Sequence, residues 1–137
     1  MEEKKTFEAV IERGEDGIYS VYIAEPDCPF GCSGTGDSVA EAKEDFYAAI
    51  DDVRAVYEEE GKAFPEVEFT FRYDMASFLA DYSKAFTLAG LSRITGVNQG
   101  QLSHYITGHR HPSDTTMKKI ESSIHAFAKD LSQVRFV

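Results

Sequence analysis

The stretch Leu91-Ser-Arg-Ile-Thr-Gly-Val-Asn-Gln-Gly-Gln-Leu-Ser-His-Tyr-Ile-Thr-Gly108 reads as two short helices hinged at Gly96, the second closed by Gly108. Leu91, Ile94, Val97, Leu102 and Ile106 recur at helical spacing and form an inward side. Asn98, Gln99, Gln101, Ser103 and His104 form a polar outer face. A helix that reads base edges requires this division, with an apolar side fixing the angle between two helices and amide-bearing side chains turned outward. Gly96 supplies the positive φ that so tight a turn needs. Double-stranded DNA is the partner this stretch points to.

Working outward, Thr87 is placed to cap the first helix, which runs to about Thr95, and the second spans about Asn98 to Thr107. Ahead of them, Met75 to Phe86 carries Met75, Phe78, Leu79, Tyr82 and Phe86 at helical steps. Behind them, Pro112-Ser-Asp114 opens a last long helix, with Met117, Ile120, Ile124, Phe127 and Leu131 expected to face the core. An all-α domain over residues 75–137 is the expectation.

The formal charge of −10 on 137 residues looks wrong for a partner of nucleic acid, because phosphate neutralisation supplies most non-specific affinity. Splitting the chain removes the conflict. Residues 1–74 hold 7 Lys+Arg against 20 Asp+Glu, a balance of −13, whereas residues 75–137 hold 7 against 4, a balance of +3. Two domains with different partners follow from that asymmetry.

In the acidic half, Phe7, Ala9 and Ile11 alternate with Glu8, Val10 and Glu12 over Thr6 to Arg13. After the hairpin signal Gly14-Glu-Asp-Gly17, Tyr19, Val21 and Ile23 alternate over Ile18 to Ala24. Ser33-Gly-Thr-Gly36 reads as a third strand. Asp37 or Ser38 caps a helix to about Glu60, since Ser38-Val-Ala-Glu41 has the capping-box spacing. Val39, Ala42, Phe46, Ala49, Ile50, Val53 and Tyr57 form its apolar stripe, and Gly61 ends it. Val67, Phe69, Phe71 and Tyr73 then alternate with Glu68, Thr70, Arg72 and Asp74, a fourth strand. The fold class expected for the whole chain is α+β, a small βββαβ domain followed by an all-α helix-turn-helix domain.

The run Gly17-Ile-Tyr-Ser-Val21, then Pro26-Asp27, Gly31-Cys32, Gly36-Asp37-Ser38 and Glu41-Ala42, resembles the HicB antitoxin family. That family's pattern is G-x-Y-x-V, then P-D-x-P-G-C, then G-D-[ST]-x-x-E-A. Pro29-Phe30-Gly31-Cys32 departs from it by one extra residue before the Gly-Cys pair. The resemblance covers about residues 6–74 and implies a partial ribonuclease-H-like fold that binds a small basic HicA-like ribonuclease toxin. A domain of charge −13 is electrostatically suited to such a partner. Its many outward carboxylates are equally consistent with a solvated helix face.

Residues 75–131 resemble the XRE/Cro family of helix-turn-helix domains, on Gly96-Val97, the Leu102/Ile106 pair and Gly108-x-x-x-Pro112. Gly90 and Gly100 depart from the pattern, and Gly100 offers no side chain where a base contact is common. The resemblance implies that Gln99, Gln101 and His104 lie over base edges, Gln toward adenine and His104 toward a guanine or a phosphate. Asn98 at the cap suits a phosphate or a first base, and Ser103 completes the polar face. Thr107, His109 and Arg110 are backbone contacts in that scheme. Lys84, Arg93, Lys118 and Lys119 either add to the positive field or are solvated surface. A balance of +3 is modest, so a homodimer or tetramer on a palindromic operator is expected.

Other chemistry is weighed against these readings. Cys28-x-x-x-Cys32 has no second pair to complete a zinc site, so no metal is expected. Gly34-Thr-Gly36 lacks the third glycine and the lysine of a phosphate cradle, so no cofactor is expected either. Asp45, Asp51 and Asp52 lie on a helix and not on adjacent strand ends, which argues against a two-metal enzyme. With no apolar run near the roughly 20 residues of a membrane span and no signal peptide in Met1-Glu-Glu-Lys-Lys5, a cytoplasmic location and no membrane partner are expected.

Overall fold

The computed structural model describes residues 4–137. It is a mixed α+β protein: strands β1 (Lys5–Arg13), β2 (Tyr19–Ile23) and β3 (Ser33–Gly36), helix α1 (Val39–Glu59), strand β4 (Val67–Tyr73), then helices α2 (Met75–Tyr82), α3 (Leu88–Thr95), α4 (Gln99–Ile106) and α5 (Asp114–Ser132). Two compact units divide between Ser77 and Phe78, inside α2. Ser77 is held to the first unit because its buried Oγ accepts the Arg13 N–H at 2.8 Å. Among the described residues no helix is long and apolar enough to cross a membrane.

The first unit is a four-stranded sheet in the order β3-β2-β1-β4, with α1 on one face. β1 pairs antiparallel with β2, from Ala9 opposite Ile23 to Arg13 opposite Tyr19, and parallel with β4, from Lys5 opposite Val67 to Ile11 opposite Tyr73. The period-2 alternation explains which side is covered. Phe7, Ala9, Ile11, Tyr19 and Val21 are buried, and Val39, Ala42, Phe46 and Ile50 of α1 form one cluster with Ala9, Ile11, Tyr19 and Val21. Phe46 lies edge-on to Phe69 at 5.1 Å and to Phe71 at 6.2 Å, tying β4 into the same core.

Ser38 caps α1, its Oγ accepting the Glu41 N–H at 3.1 Å, while Glu41 Oε2 accepts the Asp37 N–H at 2.9 Å. The reciprocal pair satisfies two donors that would otherwise lack partners at the start of the helix. The glycines just before it have a packing role. A Cβ on Gly34 would fall 2.2 Å from the backbone nitrogen of Phe46 and 2.5 Å from the carbonyl oxygen of Ala42. β3 therefore rests directly on the helix backbone, at a spacing only glycine allows.

The second unit has a small core of Leu79, Leu91, Thr95, Val97, Leu102, Tyr105 and Ile120. Two expectations need correction here. Helix α2 stops at Tyr82 instead of reaching Phe86: the Ala85 and Phe86 N–H groups both turn back to the Tyr82 carbonyl. Phe86 is thereby set edge-on to Phe127 at 5.9 Å, and Thr87 is freed to take the extended backbone of a cap. Met117 and Leu131 do not face the core, being 38% and 59% exposed. For Leu131, near the end of α5, length accounts for the exposure: α5 has 19 residues against eight in α3 and in α4, so at about 1.5 Å per residue its partners cover only part of it.

Candidate nucleic-acid interface

The turn between α3 and α4 is built by three local devices. Thr87 accepts the Gly90 N–H on its Oγ1 at 2.9 Å and starts α3. Gly96 ends it at φ 73°, its N–H donating to the Ser92 carbonyl at 2.8 Å. Asn98 then starts α4, its Oδ1 accepting the Gly100 N–H at 2.7 Å. A Cβ on Gly100 would sit 3.0 Å from that oxygen, so the missing side chain keeps the cap tight.

A buried hydroxyl spans the turn. Thr95 Oγ1 donates to the Leu91 carbonyl at 2.7 Å and accepts the Val97 N–H at 3.2 Å. Apolar periodicity does not mark Thr95, although a threonine four residues after Leu91 and next to a helix-ending glycine can make this back-bond. Tyr105 is a second omission: it is buried, between Leu102 and Ile106 on the inner side of α4.

The fold leaves Asn98, Gln99, Gln101 and His104 exposed along the first two turns of α4, while Ser103 is half-buried. Ser103 is the least exposed of this polar face, next in the chain to buried Leu102. Asn98 Oδ1 is committed to the cap, so the side-chain group it has left to offer a ligand is its amide nitrogen, a donor. At the other end the His104 carbonyl collects two donors, Thr107 Oγ1 at 3.1 Å and the Arg110 N–H at 3.3 Å. Gly108, at φ 74°, lets the chain reverse there. The His104 and His109 rings then lie edge to face, centroids 5.2 Å apart. Thr107, His109 and Arg110 are all exposed beside them.

Of the four cations flanking the motif, Lys119 has a defined place. A Cβ on Gly96 would meet its Nζ at 3.4 Å, so the ammonium lies against the turn. Lys84, Arg93 and Lys118 are exposed.

A helix-turn-helix family model matches residues 83–124, just under a third of the chain. No curated protein and no solved structure matches the chain. The match and the α3–turn–α4 geometry make the second unit a helix-turn-helix, an arrangement that supports binding of double-stranded DNA and a role in transcription regulation.

Proposed function

We propose that the protein is the antitoxin of a toxin–antitoxin pair: the first unit occludes a small basic HicA-like ribonuclease, and the second represses the operon that encodes both. The observation that carries this reading is the coincidence of the HicB-like motif order with a charge of −13 on residues 1–74. The arrangement of the sheet supports it, since a βββαβ unit with β4 parallel to β1 is compatible with the partial ribonuclease-H-like fold the resemblance implies. Inhibition in this scheme is steric and electrostatic, and this chain contributes no catalysis. Cys28 and Cys32 are free thiols in the loop that carries Pro26-Asp27 and Gly31-Cys32. Burial is the main cause that pushes the Cys32 thiol up, so it stays protonated and poorly nucleophilic.

On α4, Gln99 and Gln101 read base edges, His104 contacts a guanine or a phosphate and Asn98 a phosphate or a first base, while Thr107, His109 and Arg110 hold the DNA backbone and Ser103 completes the face. A homodimer or tetramer matches a palindromic operator. The second reading is an orphan regulator whose first unit dimerises or binds another ligand, and the uncovered edge of β4 favours it.

Purification of the tagged full-length chain from its own host, with mass spectrometry of what co-elutes, separates the two. A stoichiometric small basic protein, lost when residues 1–74 are deleted, is the expected result. Operator binding without such a partner would leave the orphan regulator.

A further inference from the structure

We infer that β4 is a self-pairing edge, on which a second copy of this chain docks antiparallel and continues the four-stranded sheet across a two-fold axis at Thr70. This inference does not rest on the toxin reading. In the order β3-β2-β1-β4, the strand Val67–Tyr73 has a sheet neighbour on one side only. It pairs with β1 over seven consecutive residues, with no bulge to bend its outer edge away. It also lacks the proline and lysine that commonly stop strands from adding to an edge.

The strand Val67-Glu-Phe-Thr-Phe-Arg-Tyr73 is self-complementary about Thr70. Antiparallel pairing centred there sets Glu68 opposite the second copy's Arg72, and Arg72 opposite its Glu68. On the other face of the sheet, Phe69 meets Phe71 and Phe71 meets Phe69. Other registers lose this match. Moving the centre to Glu68 or to Arg72 puts like charges face to face, and an odd-residue slip puts charges against aromatics. Moving the centre to Phe69 or to Phe71 sets Glu68 or Arg72 opposite the uncharged Thr70, so within Val67–Tyr73 only the register centred on Thr70 gives both charged residues an opposite charge.

The side chains are available for it. Glu68 and Arg72 are 56% and 66% exposed, each in one surface ion pair, with Lys4 at 3.5 Å and Glu8 at 3.4 Å. Phe69 and Phe71 are only half-buried, and Tyr47 of α1, 46% exposed, lies edge-on to Phe71 at 6.3 Å. Pairing closes the open side of this aromatic row, and the charges on the opposite face select the register. Both α1 helices then lie on the same face of one eight-stranded sheet.

The test is the mass of the full-length chain by sedimentation equilibrium, for the wild type, E68R, R72E and an equimolar mixture of the two variants. Each single variant sets like charges opposite one another at both ends of the contact, and about a tenfold weaker association is expected. Mixing E68R with R72E restores opposite charges in the mixed dimer, and with them the wild-type association. A wild type that stays monomeric across the micromolar range, single variants that associate like wild type, or a mixture that fails to recover overturns the proposal. Thr70→Cys in a background of Cys28→Ser and Cys32→Ser provides a second measurement. Residues on the two-fold axis of an antiparallel pair have Cα atoms about 4.5–5.5 Å apart, within disulfide reach. Mild oxidation is expected to link Thr70→Cys into dimers and to leave Thr35→Cys, on the opposite edge, unlinked. Equal linking of both, or of neither, overturns the proposal.

Discussion

Thr95 accepts the N–H of Val97 on its side-chain oxygen at 3.2 Å, across the turn that joins the two helices of the DNA-binding motif. Both residues are buried, so this N–H has no access to water as an alternative partner. The same hydroxyl donates to the Leu91 carbonyl, which makes one side chain the link between α3 and the entry to α4.

Thr95→Val keeps the shape and removes the hydroxyl. A buried N–H is then left unsatisfied, at a cost of about 1–3 kcal/mol. Thr95→Ser, which keeps the oxygen, loses less. Urea unfolding of the two variants, followed through the helical signal, measures the difference.

Gly34→Ala is expected to be among the most damaging single changes in the first unit. The added carbon falls 2.2 Å from Phe46 N and 2.5 Å from Ala42 O, which are backbone atoms of a helix and cannot rotate aside. A destabilisation of roughly 3 kcal/mol is expected. Thr35→Ala, whose outward side chain is exposed, serves as the control in the same unfolding experiment. Equal stability of the two variants would contradict the close contact of β3 with α1.

Gln101→Ala with His104→Ala is expected to abolish binding to a duplex from upstream of this protein's own gene. Each lost bidentate base contact removes about 1–3 kcal/mol of discrimination. The side chains are exposed, so the melting temperature should stay at the wild-type value. Fluorescence anisotropy at several salt concentrations reads both affinity and slope. A weakened affinity with an unchanged salt slope identifies base reading, whereas Arg110→Ala should lower the slope.

Tyr22 donates its hydroxyl to Glu12 Oε1 at 2.6 Å, and this bond is the main cause holding its pKa above the ordinary 10.0. Burial and the Glu12 and Asp74 charges act in the same direction. The folded value is raised, so the interaction is fully present below pH 10.0 and is lost as pH climbs through the folded value. The ultraviolet tyrosinate titration of wild type minus that of Tyr22→Phe should have its midpoint above 10.0. A midpoint at or below that value would mean the hydroxyl is free.

Much of the architecture is written in short-range patterns. Alternation at Phe7, Ala9 and Ile11 and at Val67, Phe69 and Phe71 marks strands. The spacing of Val39, Ala42, Phe46 and Ile50 marks the stripe of α1, and Ser38, Thr87 and Gly96 set element ends through their own side chains or lack of one. Such signals are local, because periodicity and capping involve residues within four or five positions of one another. The exposed row of Asn98, Gln99, Gln101 and His104 follows from the same periodicity once Leu102 is placed inward.

What the tertiary structure alone decided depends on residues far apart in the chain. Gly34-Thr-Gly36 is a packing device because α1 passes within contact of it, and Ser77 joins the first unit because Arg13 lies beside it. Met117 and Leu131 have the spacing of core residues, yet remain exposed, Leu131 because α5 is more than twice as long as α3 or α4. Amphipathic spacing records which face a helix can bury; whether that face is buried depends on the length and position of what packs against it. The sequence by itself determined most of the elements and the exposed polar face of α4, and the packing of distant segments decided which apolar surface is core and which strand stands at the edge of the sheet.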